Sequence, residues 1–353
     1  MTSVAVPTSA PARGSQRFRP LRVKAVVRES ADAISVVIEV PPELASTYIY
    51  EAGQYVTLRL PVDGVDYHRS YSMSSAPGVD SDLAFTVKRV PGGIVSNYLN
   101  DRLAVDDLLA ISPPTGTFVL GADDRDVTAF AAGSGITPIF SIIKHTLHAH
   151  TRPVRLLYAN RDRGSAIFRS QLDGLVERHP ERLAVEYHED VVNGFVDQTR
   201  VAGFSSGATS TTYLVCGPAE FMDVVVSGLS QRGTRPEQVR IERFSPPDTE
   251  PADLPAPGTT DAPCVEVTIE LGGRKVTVPY RPRTTVLQTA RSAGFSAPSS
   301  CETGTCATCM ARVLEGQVVM RNNEALTQEE VAEGWVLTCQ SLPTSETLSV
   351  IYE

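Results

Sequence analysis

The sequence predicts a multidomain chain. A small antiparallel β-barrel comes first, then an α/β domain with a parallel sheet, then a compact α+β unit around a cysteine loop. Three observations carry this. Residues 17–122 are short β-branched runs broken by Pro, Gly and Asp, the rhythm of a small barrel. From residue 126 strand-like and helical patterns alternate, as in a parallel sheet covered on both faces. Finally, "SPPDTEPADLPAPGTTDAP" is rich in Pro and acidic residues with almost nothing to bury, so it reads as a semi-extended linker.

With 353 residues there is room for two or three domains, and 42% hydrophobic with 21% charged residues is an ordinary globular composition. The net charge of -9, with no basic stripe, argues against a nucleic-acid surface. The opening "MTSVAVPTSAPARGSQ" lacks the apolar core of a signal peptide and reads as a disordered tail. No run reaches the roughly 18 apolar residues of a membrane span. Without an export signal the expected location is cytoplasmic, where six cysteines are not expected to form a disulfide framework. The expected boundaries are a tail at 1–16, the barrel at 17–122, the α/β domain at 123–245, the linker at 246–263 and the last unit at 264–353.

In the barrel, "LRVKAVV", "ISVVIEV", "YVTLRL", "LAFTVKRV" and "LLAISPP" are the expected strands. In the α/β domain they are "DVTAFAAG", "VRLLYAN", "LAVEYHE", "TTYLVCG" and "QVRIERF". Between them "PIFSIIKHTLHAH", "FRSQLDGLVERH" and "EFMDVVVSGLSQRG" have helical spacing. The last unit opens with "VEVTIEL-GG-RKVTVPY", a two-residue Gly-Gly hairpin. Thr285 with Gln288, and Thr327 with Glu330, are spaced as capping boxes for two short helices. "ARVLEG" and "TLSVIY" complete a ubiquitin-like (β-grasp) frame.

Inside that frame "SCETGTCATC" holds Cys301, Cys306 and Cys309, and "LTCQS" adds Cys339. The spacing is C-x4-C-x2-C, then 29 residues, then C, which is the plant-type [2Fe–2S] arrangement. A tight loop aims several thiolates at one small inorganic core, and Gly304 lets the chain fold back closely. The alternative is a structural zinc, which four thiolates also satisfy, although zinc sites more often use paired C-x2-C knuckles. Cys216 and Cys264 stand outside the set.

Two further stretches point to nucleotides. In "HRSYSMSS", Arg69 offers a bidentate charge for phosphate, Tyr71 a flat ring to stack on, and Ser72 a nearby hydroxyl. "VPGGIVSNYL" then places Gly93 before a short helix bearing Ser96, an anion site by dipole and free N–H groups. Together they suggest a flavin nucleotide; each alone is compatible with an exposed strand or turn. "AAGSGITP" follows the first strand of the parallel sheet, and its Gly133-x-Gly135 turn lets a pyrophosphate approach the backbone. Pro138 stands where the usual fingerprint has a third glycine. "CGPAEFM" puts Cys216, Gly217 and Pro218 at a second strand-to-helix turn, where Cys216 also reads as a small buried hydrophobe.

With these motifs in order, the chain from about residue 20 resembles the ferredoxin-NADP reductase superfamily, and more closely the oxygenase reductase components with a C-terminal plant-type ferredoxin domain. That resemblance implies FAD, a [2Fe–2S] cluster and NADH (NADPH possible) as cofactors, and a terminal oxygenase or hydroxylase as electron acceptor. Arg69, Tyr71, Ser72 and Ser75 fit its FAD form of the flavin motif. It implies that Tyr71 packs on the isoalloxazine, that Ser72 bonds near its N5, and that Arg69 with the Gly93–Ser96 turn holds the pyrophosphate. Ser70, Val87, Lys88 and Val95 join the flavin-binding set. Gly133, Gly135, Thr137, Cys216, Gly217 and Pro218 form the nucleotide motifs, with Thr137 and Cys216 beside the nicotinamide and Phe244 over the flavin ring. Ser72, Cys216 and Phe244 would surround the reacting atoms, and the four cysteines would be the metal ligands. Ala307 departs from the family, where glycine often follows the second cysteine.

The implied activity is transfer of electrons from NAD(P)H through FAD and the cluster to the oxygenase. A self-contained NAD(P)H oxidase or quinone reductase is the alternative enzyme, and a zinc-stabilised binding module the alternative outside enzymes. In "YANRDRGSAIF", Asp162 favours the free ribose of NADH while Arg161 and Arg163 could accept a 2′-phosphate. Charge counting in that stretch is indecisive, and the resemblance to steroid hydroxylase reductase components is what implies NADH.

Overall fold

The computed structural model describes residues 2–5, 18–62, 65–121, 123–206, 210–244, 266–295, 297–299, 302, 304, 307–323 and 325–352. By internal contacts the chain divides into two compact units. One joins Pro20–Val56 to Tyr71–Phe244; the other gathers Met1–Arg19, Thr57–Ser70 and Ser245–Glu353. The expected linker at 246–263 lies outside the described residues.

Strand β1 (Thr2–Ala5) falls in the expected tail, yet it pairs antiparallel with Gln317–Met320, with Thr2 opposite Met320. A neighbouring strand edge offers unpaired backbone donors and acceptors, and this segment satisfies them. The rest of the expected tail, residues 1 and 6–16, lies outside the described residues.

Next come β2 (Arg19–Ser30), β3 (Ala33–Glu39), β4 (Tyr55–Val62), β5 (Val65–Ser72), β6 (Leu83–Lys88), helix α1 (Ile94–Arg102) and β7 (Leu108–Ile111). Their hydrogen-bonded order is β5-β4-β7-β2-β3-β6, with β2–β3 and β3–β6 antiparallel. Burial alternates at the start of β2, where Leu21 and Val23 face in, whereas β3 is buried on both faces. "HRSYS" is the end of β5.

The parallel sheet consists of β8 (Asp126–Ala132), β9 (Val154–Asn160), β10 (Leu183–Glu189), β11 (Thr211–Gly217) and β12 (Val239–Arg243). All of its pairings are parallel, in the order β10-β9-β8-β11-β12. α2 (Ile136–Ala149) and α3 (Arg169–Arg178) pack on one face through Ile139, Ile143 and Leu172. On the opposite face, α5 (Gln198–Phe204) and α6 (Ala219–Gln231) bury Phe204, Met222 and Val225; α4 (Asp190–Asn193) is one exposed turn after β10. The sequence pattern missed α4 and α5 because each is too short to show a helical period. The strand order reverses direction between β8 and β11, and at such a switch point the two outgoing turns leave a crevice at the carboxyl edge.

The last elements are β13 (Glu266–Leu271), β14 (Arg274–Pro279), α7 (Val286–Ser292), β15 (Met310–Glu315), β16 (Gln317–Met320), α8 (Gln328–Ala332), β17 (Trp335–Leu337), β18 (Ser341–Pro343) and β19 (Thr347–Tyr352). Five strands form a mixed sheet, β14-β13-β19-β15-β17, with β13 and β19 parallel. A three-stranded sheet, β1-β16-β18, stands beside it in the same unit. The Gly-Gly hairpin is realised with both φ positive, +59° at Gly272 and +77° at Gly273. Both capping boxes form: Gln288 N–H donates to Thr285 Oγ1 at 3.2 Å, and Glu330 N–H to Thr327 Oγ1 at 3.2 Å. α7 buries Val286, Leu287 and Ala290 in one core with Val350, Trp335, Cys309 and Cys339.

Candidate functional site

The two glycine turns after β8 and β11 meet at the switch point. A Cβ built on Gly135 would lie 2.1 Å from the Cys216 carbonyl oxygen and 2.6 Å from the Gly217 nitrogen. Only glycine fits, so Gly133–Gly135 and Cys216–Pro218 form one continuous backbone surface. Thr137, 2% exposed, donates its hydroxyl to the Ser134 carbonyl at 2.9 Å and holds the first turn closed. Pro218 is the N-cap residue of α6. Cys216 is fully buried, and that burial pushes its thiol well above the ordinary range. It therefore stays a neutral thiol, without acid–base work at working pH.

Two residues that the sequence motifs do not include support this edge. Tyr158 on β9 donates its hydroxyl to the Gly133 carbonyl at 3.2 Å and accepts the Ile167 N–H at 3.0 Å, tying the turn to the loop before α3. Burial raises the Tyr158 phenol, keeping it protonated as a donor. Asn160 ends β9 at 6% exposure with its amide near Tyr158, and among the described residues neither its Oδ1 nor its Nδ2 meets a partner in hydrogen-bonding geometry. A buried amide without partners costs about 1–3 kcal/mol. The sequence signal was present: a polar residue closes the otherwise apolar strand "VRLLYAN" at the edge where ligands bind. Asn160→Leu is expected to raise the melting temperature of the nucleotide-free protein while weakening NAD+ binding. Differential scanning calorimetry and a titration with NAD+ measure the two effects separately.

Beyond β9, Asp162 caps a short turn, accepting the Ser165 N–H on Oδ1 at 2.9 Å. Its Oδ2 accepts from Arg161 Nε at 2.8 Å. The Arg161 guanidinium holds the Asp162 carboxyl below its usual range, and the arginine is lifted in return. The Arg161 side chain is 70% exposed.

The flavin motif is split between scaffold and open groups. Arg69 Nη1 donates to the His68 carbonyl at 2.8 Å and its guanidinium lies over the Tyr67 ring. Tyr71 stacks on Phe85, ring centroids 5.7 Å apart and 20° from parallel, which fixes its plane. Ser72 is 3% exposed. Ser75 is engaged within the protein: its hydroxyl accepts the Ala84 N–H at 2.9 Å and lies 2.6 Å from the Tyr50 hydroxyl. Burial pushes the Tyr50 phenol up to about 12, so it too remains a donor. Val87 and Val95 are buried. The Lys88 ammonium pairs with Asp32 at 3.8 Å and stands 3.6 Å from where a Gly133 Cβ would lie. Gly93 caps α1 without any side-chain bond, and Ser96 Oγ accepts the Val90 N–H at 3.1 Å, shaping the turn. Phe244, which follows β12, is 40% exposed.

In the other unit Cys309 and Cys339 stand side by side, with the Cys339 N–H 3.5 Å from Cys309 Sγ. Thr338 fixes them, its N–H and hydroxyl both donating to the Cys309 carbonyl at 3.1 and 2.7 Å. Cys301 and Cys306 lie outside the described residues. Gly304, at φ +88°, leaves no room for a side chain: a Cβ would lie 2.8 Å from the Asn322 carbonyl. Ala307 has φ +53°, a left-handed conformation that glycine adopts freely and alanine holds at modest strain. A thiolate pair with sulfur-directed N–H groups suits an iron–sulfur centre. Ser70, between Arg69 and Tyr71 in the sequence, belongs to this unit, and its Oγ lies 3.4 Å from Thr308 Oγ1.

Fold and site together define a nicotinamide-dependent flavin and iron–sulfur reductase. Residues 20–120 match the family described as "Oxidoreductase FAD-binding domain", 130–227 "Oxidoreductase NAD-binding domain" and 269–344 "2Fe-2S iron-sulfur cluster binding domain". The chain is 37% identical over 357 residues to the ferredoxin reductase component of 3-ketosteroid-9-alpha-monooxygenase from Rhodococcus rhodochrous, covering 99% of both chains. It is 31% identical to one of the subunits of 1,2-phenylacetyl-CoA epoxidase from Escherichia coli, over 95% of this chain and 98% of that one. Phthalate dioxygenase reductase shares the fold, with a TM-score of 0.61 over 97% of this chain and all of that one at 24% identity. The chain belongs to the family of ferredoxin reductase components of oxygenases. It is an oxidoreductase with FAD, NADH and a [2Fe–2S] centre as cofactors, passing electrons from the nicotinamide through the flavin to the iron–sulfur centre. Among the described residues no helix is long and apolar enough to cross a membrane.

Proposed function

We propose that this protein delivers electrons one at a time to the terminal component of an oxygenase, and that each motif residue holds one stage of that route. The observation that carries this is the Cys309–Cys339 pair with its sulfur-directed N–H, a setting for a one-electron centre, in a chain that also carries the joined glycine turns of a nucleotide site. A one-electron centre in the same chain as a nucleotide domain serves transfer in series and would be superfluous in a self-contained oxidase or quinone reductase. FAD and the cluster would supply the redox chemistry: the one takes two electrons as a hydride, the other passes single electrons. The chain supplies distance, orientation and dielectric. We assign residues 17–122 to FAD, 123–245 to the nicotinamide nucleotide and 264–353 to the cluster. The first sheet closes as an antiparallel barrel, and the C-terminal unit is ubiquitin-like.

Tyr71, held flat by Phe85, presents a stacking face for the isoalloxazine, with Ser72 near the reacting edge and Phe244 covering it. Arg69 and the N-terminus of α1 after Gly93 take the pyrophosphate, while Ser75 and Ser96 keep those turns in shape. The joined surface of Gly133, Gly135, Gly217 and Pro218 admits the nicotinamide nucleotide closely, beside Thr137 and Cys216. Lys88, paired with Asp32, stands next to Gly133 at that edge. Cys301, Cys306, Cys309 and Cys339 ligate the two irons. The Arg161–Asp162 ion pair cancels the charge that would recruit a 2′-phosphate, which favours NADH.

The relatives' names make a steroid hydroxylase the first acceptor to try. Reconstitution of the purified chain with candidate terminal oxygenases, with product detection, tests the reading. NADH is expected to exceed NADPH in kcat/KM by about tenfold or more. A preference for NADPH that Arg161→Ala abolishes would overturn the choice of nucleotide. Turnover with no terminal oxygenase, at rates matching the coupled reaction, would overturn the choice of acceptor.

A further inference from the structure

Gln340 follows the fourth cysteine and is 8% exposed. Its Nε2 donates to the Glu302 carbonyl at 2.6 Å and faces Cys339 Sγ at 3.8 Å, within reach of a sulfur acceptor. Its stem lies against Gly304, where a Cβ would come within 3.0 Å of Gln340 Cγ. The Glu302 side chain is anchored in turn: Arg291 on α7 reaches its Oε1 at 2.6 Å and Ser299 Oγ at 2.7 Å. The amide is therefore held from both sides and aimed at a cysteine sulfur. The Cys339 N–H approaches Cys309 Sγ in the same way, but that donor belongs to the backbone and survives any substitution. The Gln340 side chain contacts the sulfur of Cys339.

We propose that the Gln340 amide is a positioning and tuning residue for the iron–sulfur centre, raising its reduction potential through a hydrogen bond to Cys339 Sγ. The inference rests on the reading of Cys339 as a cluster ligand. Adding one electron to the centre increases the negative charge on its sulfurs, so an N–H aimed at a ligand sulfur stabilises the reduced form more than the oxidised one. Hydrogen bonds to the sulfurs are among the terms that set iron–sulfur potentials, and partners beyond the ligands commonly tune a metal site. In a chain passing electrons in series, a higher potential draws the electron out of the flavin. The second bond, to the Glu302 carbonyl, holds the amide in place for this donation.

Gln340→Met keeps length and removes the donor; Gln340→Glu keeps shape and replaces the donor by an acceptor. A redox titration of the full-length holoprotein, followed by the EPR signal of the reduced centre, reads both. The expected result is normal iron and sulfide content with a lower potential, equivalent to a threefold to tenfold loss in the one-electron equilibrium constant, up to about 59 mV. The potential is expected to fall further in the glutamate variant, whose added charge opposes reduction. An unchanged potential in either loaded variant overturns the proposal. So does reduced loading with an unchanged potential in the loaded fraction, which would make Gln340 a loop clamp only. If neither variant takes up iron, protein labelled with 15N at glutamine side chains decides the matter. Pulsed EPR of its reduced centre is expected to show a resolved 15N coupling that unlabelled protein lacks, and no coupling overturns the proposal. Absence of any [2Fe–2S] signal from the unmodified protein would instead refute the reading of the cysteines.

Discussion

Cys339→Ser is expected to abolish the visible iron–sulfur absorbance and lower NADH-dependent cytochrome c reduction by roughly two orders of magnitude or more. Flavin reduction by NADH in stopped flow is expected to stay within about twofold of the unmodified protein, because the nicotinamide motifs lie elsewhere in the chain. Cys339 follows the turn fixed by Thr338, with its backbone N–H toward Cys309 Sγ and its side chain 6% exposed. Serine cannot replace a soft thiolate on iron without loss of affinity, and the site offers little water to compensate. The fold is expected to survive, since the surrounding core of Val350, Trp335 and Leu337 is untouched. A collapse of flavin reduction in a protein with normal circular dichroism would show that the two centres do not act in series.

Gly135→Ala is expected to be the most damaging single methyl in the nucleotide domain. Its Cβ would lie 2.1 Å from the Cys216 carbonyl oxygen and 2.3 Å from the carbonyl carbon, so backbone must move rather than a side chain. Overpacking of this kind costs about 1–3 kcal/mol. The functional effect is expected to be larger than the loss of stability. Opening the joint between the turns displaces the nucleotide surface, and a shift of about 1 Å costs on the order of 100-fold in rate. NADH-dependent flavin reduction is therefore expected to fall about 100-fold while dithionite-reduced protein still reduces cytochrome c normally. A variant that reduces its flavin with NADH at an unchanged rate would remove the switch-point crevice from the pathway.

The cysteine spacing, the glycine turns and the alternation of strands with helices were legible because each is a local consequence of chemistry. Four thiolates must converge on one centre, a tight approach to phosphate needs a residue without Cβ, and a parallel strand needs a crossover. Thr285 with Gln288 and Gly272–Gly273 were equally legible, since a capping box and a hairpin turn close within a few residues. By itself, therefore, the sequence determined the kinds of module, their order and the cofactor classes.

Long-range packing decided the rest. That Gly135 lies against Cys216 depends on β8 and β11 being neighbours, which no spacing along the chain announces. Whether Asp162 offers its carboxylate or spends it on Arg161 and Ser165 is a matter of rotamers set by the folded turn. Thr2–Ala5 looked like a loose end because its partner, β16, lies near the far end of the sequence. Asn160 and Gln340 were ordinary polar letters until burial stripped them of water, since an amide gains a specific role only when its surroundings limit the partners it can reach.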